Sequence, residues 1–297
     1  MKDKLIRDIE IKLSETCPEI DRILKRYSAS LMLDGKSKGT IRQYLRMLRR
    51  LVDSSGKIFP ELTANDIRLF LGNSKMNGSK NSYIENQRAY ISAFFMWMKS
   101  EDMIEKNPCE KIKPIKCEKV RRLPYTEVQI DRMRSVCDTP IKRAILEVLL
   151  SSGVRCEELI NLDISDIDIR NRTVLVRHGK GGKDRVTYIS ELAAEHLERY
   201  LNTRTDTEVE LFRCKRGGRY SSTNAIEKLA KRIGVAAGVT DVHPHRFRRT
   251  FATNLYKRGM DIHEIQRLMG HSTIQTTLEY IYTDDAQLKA AYNKYAA

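Results

Sequence analysis

Four short segments in the C-terminal half of the chain hold residue types suited to handling a phosphodiester. In SSGVRCEEL, residues 151–159, Arg155 follows a helix end and precedes a short helix that carries Glu158. A guanidinium there can give a phosphate two parallel hydrogen bonds; taken alone, it reads as a surface arginine in an ion pair. In GKGGKDR, Lys180 and Lys183 flank two glycines. A hairpin lysine can reach into DNA and protonate a leaving 5′ oxygen. Taken alone, the segment is an ordinary basic turn, and its residue order is not that of a Walker phosphate loop. In HPHRFRRTFATNL, residues 243–255, His245 and Arg248 are three apart and share one helix face, while Phe247 and Phe251 share another that can pack inward. Histidine and arginine together suit an oxyanion that gains charge. In LMGHSTIQTTLEYIY, residues 268–282, Gly270 breaks a helix, His271 follows, and Tyr280 stands nine residues further on. A phenol is a weak nucleophile unless neighbours activate it, and a lone tyrosine is more often core or surface.

The surrounding pattern says what must position these groups. Residues 1–26 read as a polar, partly amphipathic helix, apolar at Leu5, Ile9 and Leu13. Residues 27–110 read as a four- or five-helix domain. Thr40 is the expected cap of a helix with Ile41, Tyr44, Leu45, Leu48, Leu51 and Val52 on its apolar face. Thr63 and Asp66 are spaced as a capping box, and Asn77-Gly78-Ser79 signals a turn before a helix from about Ser82 to Lys99. Residues 111–124 carry six basic residues, one acidic one and two prolines, a solvated linker or one that crosses a phosphate backbone. From residue 125 to 297 the pattern is mainly helical. Pro140 starts a helix that Gly153 stops, and alternation at Thr173–Arg177 and Arg185–Ile189 predicts an antiparallel hairpin. A helix from Ser190 to Leu201 follows, then helices broken at Gly234, Gly238, Gly259 and Gly270. The fold class is therefore mainly α in two domains, one all-helical and one α+β with a small antiparallel sheet.

Composition narrows the partners. The formal charge of +15 over 297 residues favours a polyanion, through steering and counterion release. Lys36, Lys38, Arg42, Arg46, Arg49 and Arg50 follow one another with no acidic residue among them and form the expected phosphate-facing patch, with a solvated helix face as the plain alternative. The turn with Arg213, Lys215, Arg216 and Arg219 is a second candidate. The six cysteines are scattered, with no CxxC pair, and read as free thiols in a reducing compartment. His243 and His245 have no carboxylate cluster beside them, so neither a metal nor another cofactor is expected. The chain shows no signal-peptide pattern and no run of apolar residues of membrane-spanning length, which predicts a cytoplasmic, nucleoid-associated protein with no membrane partner.

In this order, the motifs GxRxxE, GKGxK, HxxRxxxAT and LxGHxxxxTTxxY resemble those of the tyrosine recombinases of the lambda-integrase and Xer-like family, over roughly residues 25–295. The resemblance implies a helical core-binding, SAM-like domain followed by a catalytic domain of the tyrosine recombinase and type IB topoisomerase fold. It also implies roles. Tyr280 would be the nucleophile, Lys180 the general acid, and Arg155, His245, Arg248 and His271 the groups that hold the phosphate, with Glu158 in support. DNA would be cut and rejoined through a 3′-phosphotyrosyl link by four protomers on inverted-repeat core sites, with accessory DNA-bending or directionality proteins as further partners. The last segment, DDAQLKAAYNKYAA, would dock on a neighbouring protomer through Leu288, Ala291, Tyr292 and Tyr295. Two positions depart from the family pattern: Arg249 stands where a histidine is common, and Tyr280-Ile281-Tyr282 replaces the usual Tyr-Thr-His. A type IB topoisomerase and a DNA-binding protein with a dead site are the rival readings.

Overall fold

The computed structural model describes residues 17–117, 123–177, 184–214 and 216–282, together with positions 288, 289, 292, 293 and 296. The chain divides into two compact units, Met1–Val120 and Arg121–Ala297. No helix among the described residues is long and apolar enough to cross a membrane.

The first unit is built from α1 (Pro18–Leu33), α2 (Lys38–Ser55), α3 (Ala64–Met76) and α4 (Asn81–Ser100). The boundary expected at residue 26 falls inside α1. Ile20, Ile23, Leu24, Tyr27 and Leu31 form one continuous buried stripe on that helix, so it belongs wholly to the helical core. Helix α2 is capped by Ser37 rather than Thr40. Ser37 is the last extended residue, and its hydroxyl accepts the Thr40 N–H at 3.2 Å. The capping box at Thr63 and Asp66 opens α3 as expected. Phe59, Phe94 and Phe95 meet edge to face at the centre of the unit, and Trp97 packs against Tyr27 at its margin. The first part of the basic linker is fastened to this unit. Ile112 and Ile115 pack on its core, the Ile115 N–H donates to Glu85 at 2.8 Å, and Asn81 donates to the Lys116 carbonyl at 3.0 Å.

The second unit contains α5 (Glu127–Ser135), α6 (Pro140–Ser152), α7 (Cys156–Asn161), β1 (Ile167–Asp168), β2 (Thr173–Val176), β3 (Arg185–Tyr188), α8 (Glu191–Leu201), α9 (Asn224–Ala236), α10 (Pro244–Lys257), α11 (Ile262–Met269) and α12 (Ile274–Leu278). The sheet is antiparallel in the order β1-β2-β3, with Val174 paired to Ile167 on one side and Thr187 on the other. Strand β1, two residues long, adds a third strand to the expected hairpin. Helix α6 is buried at Ala144, Ile145, Leu146, Val148 and Leu149, and packs against α8 and α10. Gly234 does not break a helix as expected but lies inside α9. A Cβ there would come within 2.5 Å of Val242, so glycine permits close packing at that point.

Candidate active site

Three elements converge on the C-terminus of α11. This helix ends at Gly270, in the left-handed region at φ 62°, which leaves its last carbonyls without helical partners. Each of three successive carbonyls accepts from a different arginine. Leu268 accepts from Arg185 Nε at 2.9 Å, Met269 from Arg248 Nη2, and Gly270 from Arg155 Nη2 at 3.3 Å. The negative end of the helix dipole favours cations at this place.

Arg155 stands at the start of α7, where its own N–H donates to Glu158 at 2.7 Å and its Nη1 to the same carboxylate at 2.8 Å. Arg185 on β3 forms a fork-to-fork pair with that carboxylate, Nη1 to Oε1 at 2.8 Å and Nη2 to Oε2 at 2.7 Å. Burial alone would raise the Glu158 carboxyl, but the hydrogen bonds from Arg185 and Arg155 outweigh it and hold the group at about 2. Arg248 reaches inward from α10 and is 1% exposed. Its Nη1 donates to the Gly153 carbonyl, and its Nη2 lies 3.0 Å from His271 Nε2. Burial, then the Arg155 charge, lowers its proton affinity. Three guanidiniums against one carboxylate leave the cluster with an excess of positive charge.

The His271 ring is fixed from both sides. A guanidinium only donates, so Nε2 accepts from Arg248 and the ring proton sits on Nδ1, 3.0 Å from Thr277 Oγ1. Thr277 is fully buried on α12. The Tyr280 ring lies 5.0 Å from the His271 ring, 5.8 Å from Arg248 Cζ and 5.6 Å from Arg249 Cζ. The Thr253 hydroxyl donates to the Tyr280 carbonyl at 3.2 Å and accepts the Tyr282 N–H at 3.3 Å, which anchors the backbone around the tyrosine to α10. Tyr280 and His245 line a cleft of about 230 Å³ with His243, Arg246, Arg249 and Glu279.

Of the residues singled out in the sequence, Arg155, Glu158, Arg248, His271 and Tyr280 are thus brought together, with His245 in the cleft beside Tyr280. Arg248 is buried against the α11 carbonyls, whereas His245 is exposed. Phe247 and Phe251 pack inward as expected. Lys180, Lys183 and Lys215 lie outside the described residues. Arg185 is not among the residues that the motifs single out. Its one signal is its place two residues past the second hairpin lysine.

In the two basic patches the described side chains divide between exposed and paired ones. Lys36, Lys38, Arg42, Arg46 and Arg50 are exposed, and Arg50 donates to the Tyr83 hydroxyl at 2.8 Å. Arg49 turns instead to Asp21 of α1 at 3.0 Å. In the second patch, Arg213 pairs with Asp206 and Glu208, and Arg219 pairs with Asp163 at 2.5 Å. Those two arginines tie down their own loop, and only Arg216 is exposed among the described residues of that turn.

The sequence matches the phage integrase family over residues 125–287, and the phage integrase N-terminal SAM-like domain over residues 24–102. The chain belongs to the phage integrase family. It is 35% identical to the tyrosine recombinase XerA of Pyrococcus horikoshii, a match covering 92% of this chain and 93% of that one. It is 31% identical to the tyrosine recombinase XerC of Thermodesulfovibrio yellowstonii, over 88% and 91% of the two chains. Among solved structures, a XerA recombinase matches with a TM-score of 0.55 and 26% identity, over 93% of this chain and 99% of that one. A lambda integrase dimer bound to a core site matches with a TM-score of 0.72 at 20% identity, over 88% and 94%, and shows the same fold. Members of this family of tyrosine recombinases cut and rejoin DNA through a phosphotyrosyl intermediate and exchange strands through a Holliday junction, and that is the activity of this recombinase.

Proposed function

We propose that this site-specific recombinase uses Tyr280 as its nucleophile and Arg155, His245, Arg248 and His271 to hold the scissile phosphate. The observation that carries this reading is the convergence of Arg155, Arg248 and His271 around the end of α11 with the Tyr280 ring beside them. A phosphodiester gains negative charge as it becomes five-coordinate, and the positive charges of Arg155 and Arg248 stabilise it with little reorganisation, His271 acting through the guanidinium of Arg248 that it holds. The Tyr280 phenol gives up its proton to solvent as its oxygen attacks phosphorus, the bond to the 5′ oxygen breaks, and Lys180 supplies a proton to the leaving oxygen. Glu158 positions Arg155. The bond energy stays in the phosphotyrosyl link, so the 5′ hydroxyl of another strand can reverse the step.

On this reading residues 27–110, extended back through the whole of α1, form the core-binding domain. Residues 111–124 form the basic linker, and 125–297 the catalytic domain. Lys36, Lys38, Arg42, Arg46 and Arg50 contact phosphates and supply affinity more than sequence choice. The assembly is a tetramer on duplex DNA with inverted-repeat core sites, with accessory DNA-bending or directionality proteins as further partners. An apolar cleft of about 320 Å³ lined by Ile130, Leu150, Phe251, Leu255, Met260 and Leu268 supports the docking of a neighbouring protomer's C-terminal segment, whose Leu288 and Tyr292 are exposed.

The test is a nicked suicide substrate incubated with wild type, Tyr280→Phe and Tyr282→Phe and run on a denaturing gel. A covalent adduct lost only in Tyr280→Phe is the expected result; an adduct that survives Tyr280→Phe refutes the assignment.

A further inference from the structure

We propose that Arg185 is a positioning residue for strand cleavage: by engaging both oxygens of Glu158, it keeps the charge of Arg155 available to the phosphate. The inference rests on the reading of Arg155 as a phosphate-holding group.

The geometry gives Arg185 no role at the surface. Its side chain is 10% exposed, and all three guanidinium nitrogens are committed, Nη1 and Nη2 to Glu158 and Nε to the Leu268 carbonyl. Three parts of the site therefore meet in one side chain: β3 after the lysine hairpin, α7 with Arg155, and the end of α11 just before His271. The space for this is provided by Gly270, where a Cβ would lie 2.8 Å from Arg185 Cδ. A folding role alone would not require the pairing to centre on the carboxylate that also holds Arg155.

The electrostatics explain why a second arginine is needed. A carboxylate that faces one arginine neutralises it and competes with the substrate for its donors. Glu158 faces two, and the better fork belongs to Arg185, with both Nη groups on both oxygens. Arg155 gives the carboxylate side chain one bond and keeps Nη2 on the Gly270 carbonyl. Glu158 can thus orient Arg155 without cancelling it. Without Arg185, the whole carboxylate charge falls on Arg155.

This charge balance makes a prediction that plain loss of structure does not. Single-turnover cleavage is measured on a suicide substrate at saturating protein, with DNA affinity and melting temperature from the same preparations. Arg185→Met is expected to cleave about 100-fold more slowly, with DNA affinity unchanged within about twofold, the scale of a small misplacement of a reacting group. Adding Glu158→Gln to Arg185→Met is expected to restore about tenfold of that loss, as coupled neighbours do, because the neutral amide no longer cancels Arg155. Arg185→Lys keeps the charge and is expected to cleave faster than Arg185→Met. If Arg185→Met proves insoluble, Arg185→Lys still tests the idea, because the lost fork should slow cleavage with binding intact. Cleavage by either variant at the wild-type rate overturns the proposal, as does a double variant no faster than Arg185→Met. Loss of the adduct in Arg155→Lys with the substrate still bound upholds the underlying reading, and cleavage by that variant at the wild-type rate overturns it, whatever the Arg185 variants do.

Discussion

Thr277→Val should separate the orientation of His271 from the folding of its helix. In the wild type Nε2 accepts from Arg248 at 3.0 Å and the Nδ1 proton goes to Thr277 Oγ1 at 3.0 Å, so the hydroxyl fixes both the tautomer and the ring angle. Valine keeps the volume and removes the acceptor. Loss of one partner from a buried hydrogen bond costs about 1–3 kcal/mol. If that penalty falls on the orientation of the ring needed for reaction, cleavage slows by roughly 5- to 150-fold, since about 1.4 kcal/mol is a factor of ten. DNA affinity should hold, because Thr277 is fully buried and cannot touch DNA in this arrangement. Thr277→Ser should restore most of the rate. The assay is single-turnover cleavage of a suicide substrate beside ¹⁵N NMR of the histidine ring. A folded Thr277→Val that cleaves at the wild-type rate would refute the reasoning, and so would a wild-type spectrum with the proton on Nε2.

Further perturbations probe Gly153, Glu158 and the basic face of α2. Gly153 has φ 63°, and a Cβ there would lie 2.4 Å from the Phe251 ring. Gly153→Ala should therefore cost about 3 kcal/mol from left-handed strain and overpacking, read as a lower melting temperature, and should also disturb the carbonyl that holds Arg248. Glu158 has a folded pKa lowered from 4.5 to about 2. A depressed carboxyl pKa stabilises the fold above about pH 4.5 and loses that contribution as pH falls towards 2, so Glu158→Gln should cost on the order of 3 kcal/mol at pH 7. The gap between wild type and variant in denaturant titrations should close on acidification; a gap that is the same at pH 7 and pH 3 would contradict the assignment. In the first unit, alanine at Arg42 or Arg46 should lower the slope of log affinity against log salt by about 0.9 for each phosphate that is no longer neutralised. Arg49→Ala should leave the slope unchanged and lower stability, because Arg49 is spent on Asp21.

What the sequence made legible and what it hid follow from the range of the interactions. Capping and periodicity act over three or four residues, so the box at Thr63 and Asp66, the helix from Pro140 to the Gly153 stop and the buried stripe of α2 could be read directly. Arg155, Glu158, Arg248, His271 and Tyr280, which the structure brings together, could be picked out because each motif keeps its own spacing over a short stretch of chain. Their assembly could not. Arg185 meets Glu158 27 positions away and Leu268 83 positions away, and nothing local marks either pairing. The same limit explains the basic patches. Arg49 follows a run free of acidic residues, yet its partner Asp21 lies 28 positions earlier on another helix. Arg219 finds Asp163 56 positions back. Strand β1 is two residues long, too short for alternation to show. Gly234 looked like a break because the close approach of Val242 cannot be seen along the chain.

The most direct test of the central claim is to map the covalent link itself. Wild-type protein trapped on a suicide substrate would be digested with nuclease and trypsin, and the peptide spanning residues 268–289, which holds both Tyr280 and Tyr282, would be fragmented in a mass spectrometer. The expected product is a nucleotide joined through its 3′ phosphate to Tyr280, with Tyr282 unmodified. A nucleotide on Tyr282, on any other side chain, or joined through a 5′ phosphate would contradict it.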